Sequence, residues 1–356
     1  MTSWALETDR TDITRTQVVE TAPPEPGPGE AVLRVDRVGV TANNVTYAVL
    51  GESFRYWQFF PASDPARGRV PLWGFADVAA SQADGVEVGQ RVYGYLPPAG
   101  ELLVRPERPG AQGFRDASEH RTDLPSPYNA YALVSGDPAY DVEREDLQVL
   151  YRPLFVTSFV LADSLAGDGA GGARTLVLSS ASSKTAYGTA FLLQDADVEV
   201  VGLTSAGNRE FTESLGCYDR VLAYDDLDDL DPELATGYVD VAGSTPLRES
   251  LHRHLAGSLV LDLIVGVTHQ DGSRPGDLQG ARPTAFFAPD RIRQRTQEWG
   301  RDGFDARFGD AWRAFAPMAE RNVDVVVSQG AEGLQRAWAE VAGGTSDPRV
   351  GHVIAL

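Results

Sequence analysis

Leu176-Val177-Leu178-Ser179-Ser180-Ala181-Ser182-Ser183-Lys184-Thr185-Ala186 decides how this chain is read. The apolar run predicts a buried strand, the small residues a tight loop, and Thr185 onward a helix reaching Gln194. A strand that turns directly into a helix presents backbone N–H groups at the positive end of the helix dipole, an arrangement that receives phosphate. Lys184 is the only lysine among 31 basic residues. Arginine does not freely replace a compact, flexible ammonium. A compositional bias toward arginine explains why lysine is rare, but not why the last one lies in this loop. The position therefore points to a phosphate-related role. The Lys184-Thr185 pair looks like the end of an ATPase phosphate loop, but that motif needs glycine where Leu178 and Ser183 stand, which excludes it.

Outward from this segment, strands and helices alternate. Strands are expected at 174–178, 198–203, 220–224, 238–241 and 259–267, with helices at 185–194, 208–215 and 246–255. Strands separated by helices imply a doubly wound parallel sheet. The first part of the chain reads differently. Residues 32–40 alternate apolar and polar positions after the Pro/Gly loop at 23–29, and 86–95 gives a turn and a strand. Residues 97–127, rich in Pro, Gly and charge, read as loops. Short strands with turn signals suggest a closed or partly open barrel. A strand at 323–327, an amphipathic helix at 331–341 and a last strand at 350–355 are expected to return to this first domain. The expected division is 1–145 with 322–356, and 146–321.

The 356 residues, 42% hydrophobic and 23% charged, suit two soluble domains. A net charge of −20 with 51 acidic residues repels nucleic acid and anionic membranes, so neither is an expected partner. Scarce lysine with abundant acid fits either a salty cell interior or a GC-rich genome. No apolar run reads as long enough to span a bilayer, and residues 1–9 lack a signal-peptide pattern, so the cytoplasm is the expected location. Cys217 is the one cysteine, which leaves no internal disulfide and no cysteine-based zinc site. His252 and His254 are two apart and do not share a helix face, a poor metal pair.

Four motifs carry a family resemblance: Thr41-Ala42-Asn43-Asn44-Val45-Thr46-Tyr47-Ala48, the 179–186 loop, Val201-Gly202-Leu203-Thr204-Ser205, and Leu215-Gly216-Cys217-Tyr218-Asp219. With their order along the chain, they resemble the medium-chain dehydrogenase/reductase superfamily, and most closely a domain-of-unknown-function branch of it. The resemblance implies an α/β protein: a GroES-like β-rich domain plus a Rossmann domain, with hydride transfer from NADPH or NADH in the cleft between them. A homodimer is a further implication. The chain departs from zinc-bearing relatives. Where they carry Gly-His-Glu it has Trp73-Gly74-Phe75-Ala76-Asp77, and the cysteine-rich lobe is missing. The resemblance is therefore to the zinc-free, quinone-reductase-like members, and no metal is expected. The pyrophosphate loop also lacks glycine throughout 179–186.

The candidate cofactor residues are Ser180, Ser182, Ser183, Lys184 and Thr185 in the loop, Thr204, Ser205, Asn208 and Arg209 after the second strand, Tyr218, and Gly266 and His269 after a later strand. No carboxylate directly follows the second strand. Neutral donors and Arg209 there suit a 2′-phosphate, hence NADP(H). Ser205 or Asn208 could equally cap the next helix. The resemblance places Tyr218 near the adenine or the 2′-phosphate, though it could be a packed surface tyrosine. His269 lies where open α/β sheets bind ligands, or is a plain loop residue.

The resemblance also places Asn44, Tyr47 and Thr157 near the nicotinamide. An amide or phenol there can polarise a carbonyl, and Tyr47 could supply a proton. The alternatives are a turn for the paired Asn and core packing for Tyr47. The expected activity is zinc-independent NADPH-dependent reduction of a small-molecule carbonyl, enone or quinone. The alternative is a non-catalytic nucleotide- or metabolite-binding protein on the same fold.

Overall fold

A computed structural model describes residues 3–167, 169–265, 278–344 and 346–356. Gly266 and His269 lie outside the described residues. The chain forms two compact units, Met1–Pro153 with Val323–Leu356, and Leu154–Asn322.

The first unit is built from β1 (Ser3–Asp9), β2 (Thr16–Thr21), β3 (Ala31–Val40), β4 (Arg67–Gly68), β5 (Leu72–Ser81), β6 (Arg91–Leu96), β7 (Glu101–Val104), β8 (Pro106–Gly110), β9 (Gly113–Asp116) and β10 (Ala130–Leu133). Helix α1 (Ala42–Val49) follows β3. It starts where Thr41 and Asn44 cap each other's backbone groups in a capping box. Residues 97–127, expected as loops, contain β7, β8 and β9. Pro106 and Pro109 sit in β8, the edge strand, where a missing ladder N–H costs nothing. That is why the turn-like composition misled.

Helix α2 (Glu145–Gly167) runs through the division between the units at Pro153 and Leu154, rather than following a boundary at 145. The stretch Val142–Gly167 is long and apolar enough to cross a bilayer, with mean hydropathy 1.3, against the expectation that no run is. More than half of its apolar window is buried inside the protein, at 56%, and a core helix is apolar for that reason.

The second unit opens with β11 (Thr175–Leu178), α3 (Lys184–Leu192), β12 (Glu199–Thr204), α4 (Arg209–Ser214) and β13 (Arg220–Ala223). It continues with β14 (Thr236–Asp240), α5 (Thr245–Leu255), β15 (Leu259–Ile264), β16 (Thr284–Ala285), α6 (Ala288–Trp299) and α7 (Arg301–Arg321). Among the described residues the sheet order is β13-β12-β11-β14-β15-β16, and every pair is parallel. This is the Rossmann plan, with its switch point between β11 and β14. Val177, Val201, Leu203 and Tyr238 fill the layer between this sheet and α5, where Leu251 and Leu255 meet them.

The chain then returns to the first unit through β17 (Asp324–Gln329), α8 (Gly330–Ala342) and β18 (Val350–Ala355). The main sheet of that unit runs β17-β18-β3-β5-β6-β10-β9-β8, with β7 also paired to β3. The GroES-like and Rossmann layers expected from the motifs are thus both present.

Gly39 in β3 marks a close approach within the first unit. A Cβ there would lie 2.4 Å from the Val149 carbonyl oxygen of α2. Pro153 has no N–H to offer that carbonyl across the helix turn, and the strand backbone approaches it closely. Gly39→Ala should therefore lower stability by about 1–3 kcal/mol in urea unfolding. An unchanged midpoint would show that helix and strand separate freely.

Candidate functional site

The turn after β11 is made without glycine. Ser180 adopts φ 52°, the left-handed region that glycine enters at no steric cost. Several contacts hold it there. The Ser180 N–H donates to the Tyr224 hydroxyl at 3.1 Å, and the Ser183 N–H returns to the Ser180 carbonyl at 2.8 Å. The Ala181 N–H donates to the Leu203 carbonyl at 2.9 Å, and the Tyr218 hydroxyl donates to the Ala181 carbonyl at 2.9 Å. Gly202 in β12 makes room for this loop, since a Cβ there would lie 2.9 Å from that of Ala181.

Ser179 anchors the same turn from below. Its buried hydroxyl donates to Asp240 Oδ1 at 2.9 Å and accepts the Val241 and Ala242 N–H groups at 3.0 and 3.1 Å. Asp240 also pairs with Arg248 at 2.6 Å, and Arg248 pairs with Asp262 at 3.0 Å. His252 Nε2 lies 2.9 Å from Asp262 Oδ2, while its Nδ1 faces the Gln279 carbonyl. A carbonyl only accepts, so Nδ1 carries a proton, and a second proton lies between Nε2 and Asp262. Burial raises the Asp262 carboxyl, opposed by its bonds to His252 and by the charge of Arg248.

Several expected cofactor residues converge here. Ser183 is the N-cap of α3, accepting from the Ala186 N–H at 3.3 Å. Asn208 reaches across from β12 to donate to the Ser182 hydroxyl at 3.2 Å. Neither Ser205 nor Asn208 caps α4 with its side chain. Ser205 is exposed, and Thr204 is buried at the end of β12. Among the described residues the backbone N–H groups of Ser182 and Thr185 have no partner. Lys184 opens α3, and burial pushes its ammonium down to about 8.

Two expectations change. Tyr218 braces the loop with its hydroxyl, and burial pushes that phenol well above its usual range. Arg209 is not a free cation: it pairs with Glu213 at 2.9 Å and Asp226 at 3.1 Å. Tyr224, Ser179 and Asp240 were missed because their importance comes from contacts across strands. A tyrosine directly after the third strand was the available signal.

In the first unit, Asn44 is buried and both ends of its amide are used. Oδ1 accepts the Thr41 N–H at 2.7 Å, and Nδ2 donates to the Pro71 carbonyl at 2.9 Å. It shapes the start of α1 and ties it to Pro71. Tyr47 differs. Its hydroxyl accepts from Asn43 Nδ2 at 2.8 Å and Trp73 Nε1 at 3.0 Å, which leaves its own O–H to donate. Burial raises its pKa, so it donates a hydrogen bond rather than a proton at neutral pH. Thr157, on α2 in the second unit, is half-buried. Among the described residues no three His, Cys, Asp or Glu side chains cluster to hold a metal.

Comparison with solved structures adds fold-level likeness. CurA from Vibrio vulnificus in complex with NADPH is similar at 13% identity and TM-score 0.63, covering 96% of this chain and 94% of that one. A putative NADPH:quinone reductase from Mesorhizobium loti is similar at 14% identity and TM-score 0.65, covering 100% and 98%. The yhdH oxidoreductase from Salmonella enterica in complex with NADP gives 15% identity and TM-score 0.52, covering 99% of both chains. No curated protein matches the chain.

Two predictions follow from the loop. Ser180→Gly relieves the left-handed strain and should be neutral or stabilising by up to about 1 kcal/mol in urea unfolding. A clear loss would mean that the serine side chain itself holds the turn. For Lys184, the unfolded ammonium titrates near 10.5 and the folded one at about 8. Between those values the unfolded chain binds more protons, so stability rises with pH across that window. Lys184→Met should raise the melting temperature at neutral pH, and the gain should vanish by about pH 10.5. An equal gain at both pH values would separate it from the lysine's charge.

A family model spanning residues 38–347 joins both units, and by that match the chain belongs to DUF2855, a family of proteins of unknown function.

Proposed function

We propose that this protein is a zinc-independent, NADP(H)-dependent reductase of a small carbonyl, enone or quinone. The observation that carries the reading is the turn after β11. It offers the N–H groups of Ser182 and Thr185, serine hydroxyls, and Lys184 at the N-terminus of α3. These are the donors and the cation that a pyrophosphate requires. The likeness to CurA in complex with NADPH and to the yhdH oxidoreductase in complex with NADP supports the same choice.

Ser182, Lys184 and Thr185 would hold the pyrophosphate, with Ser180 setting the turn. Ser205 and Arg209 would receive the 2′-phosphate, since no carboxylate directly follows β12. The bound nicotinamide would supply a hydride. The Tyr47 hydroxyl, held by Asn43 and Trp73, would donate a hydrogen bond to the substrate oxygen and stabilise its developing charge. Thr157 would help position the nicotinamide. A second reading, a binding protein without turnover, draws on two observations. The loop satisfies its own Ser180 and Ala181 N–H groups, and Arg209 is already paired.

Fluorescence titration with NADPH, then turnover on a quinone and enone panel, tests the two readings. No binding at millimolar NADPH or NADH defeats both cofactor assignments, and binding without turnover favours the second reading. Asp226 competes with a 2′-phosphate for Arg209. Asp226→Asn should therefore strengthen NADPH binding severalfold and leave NADH unchanged, while Arg209→Ala should weaken NADPH more than NADH. Equal effects on the two cofactors would remove Arg209 from the 2′-phosphate site.

A further inference from the structure

Strand β17 ends the main sheet of the first unit, and among the described residues it pairs with β18 alone. The Asp324 N–H donates to the Arg349 carbonyl at 2.7 Å, so Asp324, Val326 and Ser328 turn their backbone groups toward β18. Val325 and Val327 therefore turn theirs outward. Among the described residues these outward N–H and carbonyl groups meet no partner. Val326 and Val327 are also 43% and 52% exposed, so the edge offers apolar side chains as well as open backbone.

An open edge is a template for another strand, and chains guard it with proline or with charge. The other end of the same sheet, β8, carries Pro106 and Pro109. The edge strand β13 starts at the exposed Arg220, and β2 holds the exposed Glu20. In β17, Asp-Val-Val-Val-Ser-Gln, the one charge stands at the first position. The strand itself says what fits it. In an antiparallel pair, outward residues must meet outward residues. A two-fold axis at Val326 meets that rule: Val325 faces the partner's Val327, Val326 faces the partner's Val326, and Asp324 faces the partner's Ser328. Every valine meets a valine, and the carboxylate meets a hydroxyl that can donate to it. Each Val325–Val327 pair exchanges two N–H···O bonds, which uses all the outward groups of both residues. A two-fold axis at Val327 would set Val326 against Ser328 and Val325 against Gln329, with less apolar contact.

We propose that β17 is a self-association edge: two copies of this chain pair antiparallel through it, about a two-fold axis at Val326, and join their main sheets into one. Such an interface is isologous, the same strand serving on both sides. Two chains of net charge −20 repel one another, and this strand brings a single carboxylate to the contact, opposite a neutral side chain. Salt screens the remaining repulsion, so the pair should tighten as ionic strength rises. The inference goes beyond the reductase reading and does not depend on it.

The test is sedimentation velocity of the full chain over a concentration series at low and high salt, with Val327→Pro and Val326→Cys beside the parent. The parent should form a dimer that tightens severalfold with salt. Proline at 327 removes an outward N–H and leaves the β18 ladder whole, so Val327→Pro should keep its melting temperature and weaken the dimer about tenfold or more. Cysteine at 326 would face its own copy across the axis, at the Cα separation of about 4.5 Å typical of a non-hydrogen-bonded pair, within disulfide reach. Mild oxidation should therefore cross-link Val326→Cys between subunits and leave Val325→Cys uncrossed, while Cys217 is buried and does not compete. A parent that stays monomeric, a Val327→Pro protein that dimerises like the parent, or a Val326→Cys protein that does not cross-link overturns the pairing. If Val327→Pro melts early, the contrast between the two cysteine variants decides.

Discussion

The carboxyl end of the six-stranded sheet depends on one buried hydroxyl. Ser179 Oγ donates to Asp240 and accepts two N–H groups from the crossover after β14, tying β11 to β14 at the switch point. A strand end at such a point leaves several backbone groups buried and unpaired, and each must find a partner. Asp240 is fixed in turn by Arg248, Arg248 by Asp262, and Asp262 by His252. Removing one member would leave an uncompensated buried charge, far costlier than never having built the pair. The turn that begins at Ser180 therefore rests on an electrostatic foundation inside the domain.

That foundation explains how a tight strand-to-helix turn forms without glycine. Glycine would enter the left-handed turn unaided. Here Ser180 is held in it by Tyr224, and the neighbouring Ala181 by Leu203 and Tyr218. The cost is that two N–H groups of the turn serve the protein itself. The N–H groups of Ser182 and Thr185, one step further on, have no partner among the described residues. A lysine at the start of a helix is disfavoured by the dipole and by burial, and both penalties shrink when an anion arrives. The chain's net charge of −20 makes such a local cation more important, since the surrounding field repels a polyanionic ligand.

The two halves of the candidate machinery differ in how far the sequence exposed them. The Ser182–Thr185 segment could be read directly, because a strand, a small-residue loop and a helix start are adjacent in the chain. For Asn44 the sequence left two roles open, polarising a carbonyl or shaping a turn. A capping box is a local pattern, but the Pro71 carbonyl that takes the other end of the amide lies 27 residues away. Arg209 was read as a cation for a 2′-phosphate because no carboxylate directly follows the second strand. Only the fold brings Asp226 to it. The aromatic cluster of the first unit was not read from the sequence. Its organising members, Trp73, Tyr93 and Tyr95, come from two strands.

The sequence alone determined the alternating strand–helix order, the parallel sheet it implies, the strand–loop–helix turn around Lys184 and the lack of the zinc-ligand motif. These are encoded over short spans, by periodicity and by which residue types are present. Tertiary structure alone decided which polar groups are already satisfied and which remain to act. It assigned Tyr218 and Tyr224 to bracing the loop, committed Asn44 to the start of α1, and left Tyr93 and Tyr95 without partners. The reason is physical: a hydrogen bond or ion pair consumes a group's capacity through a neighbour brought near by folding, and residue spacing carries no record of that neighbour.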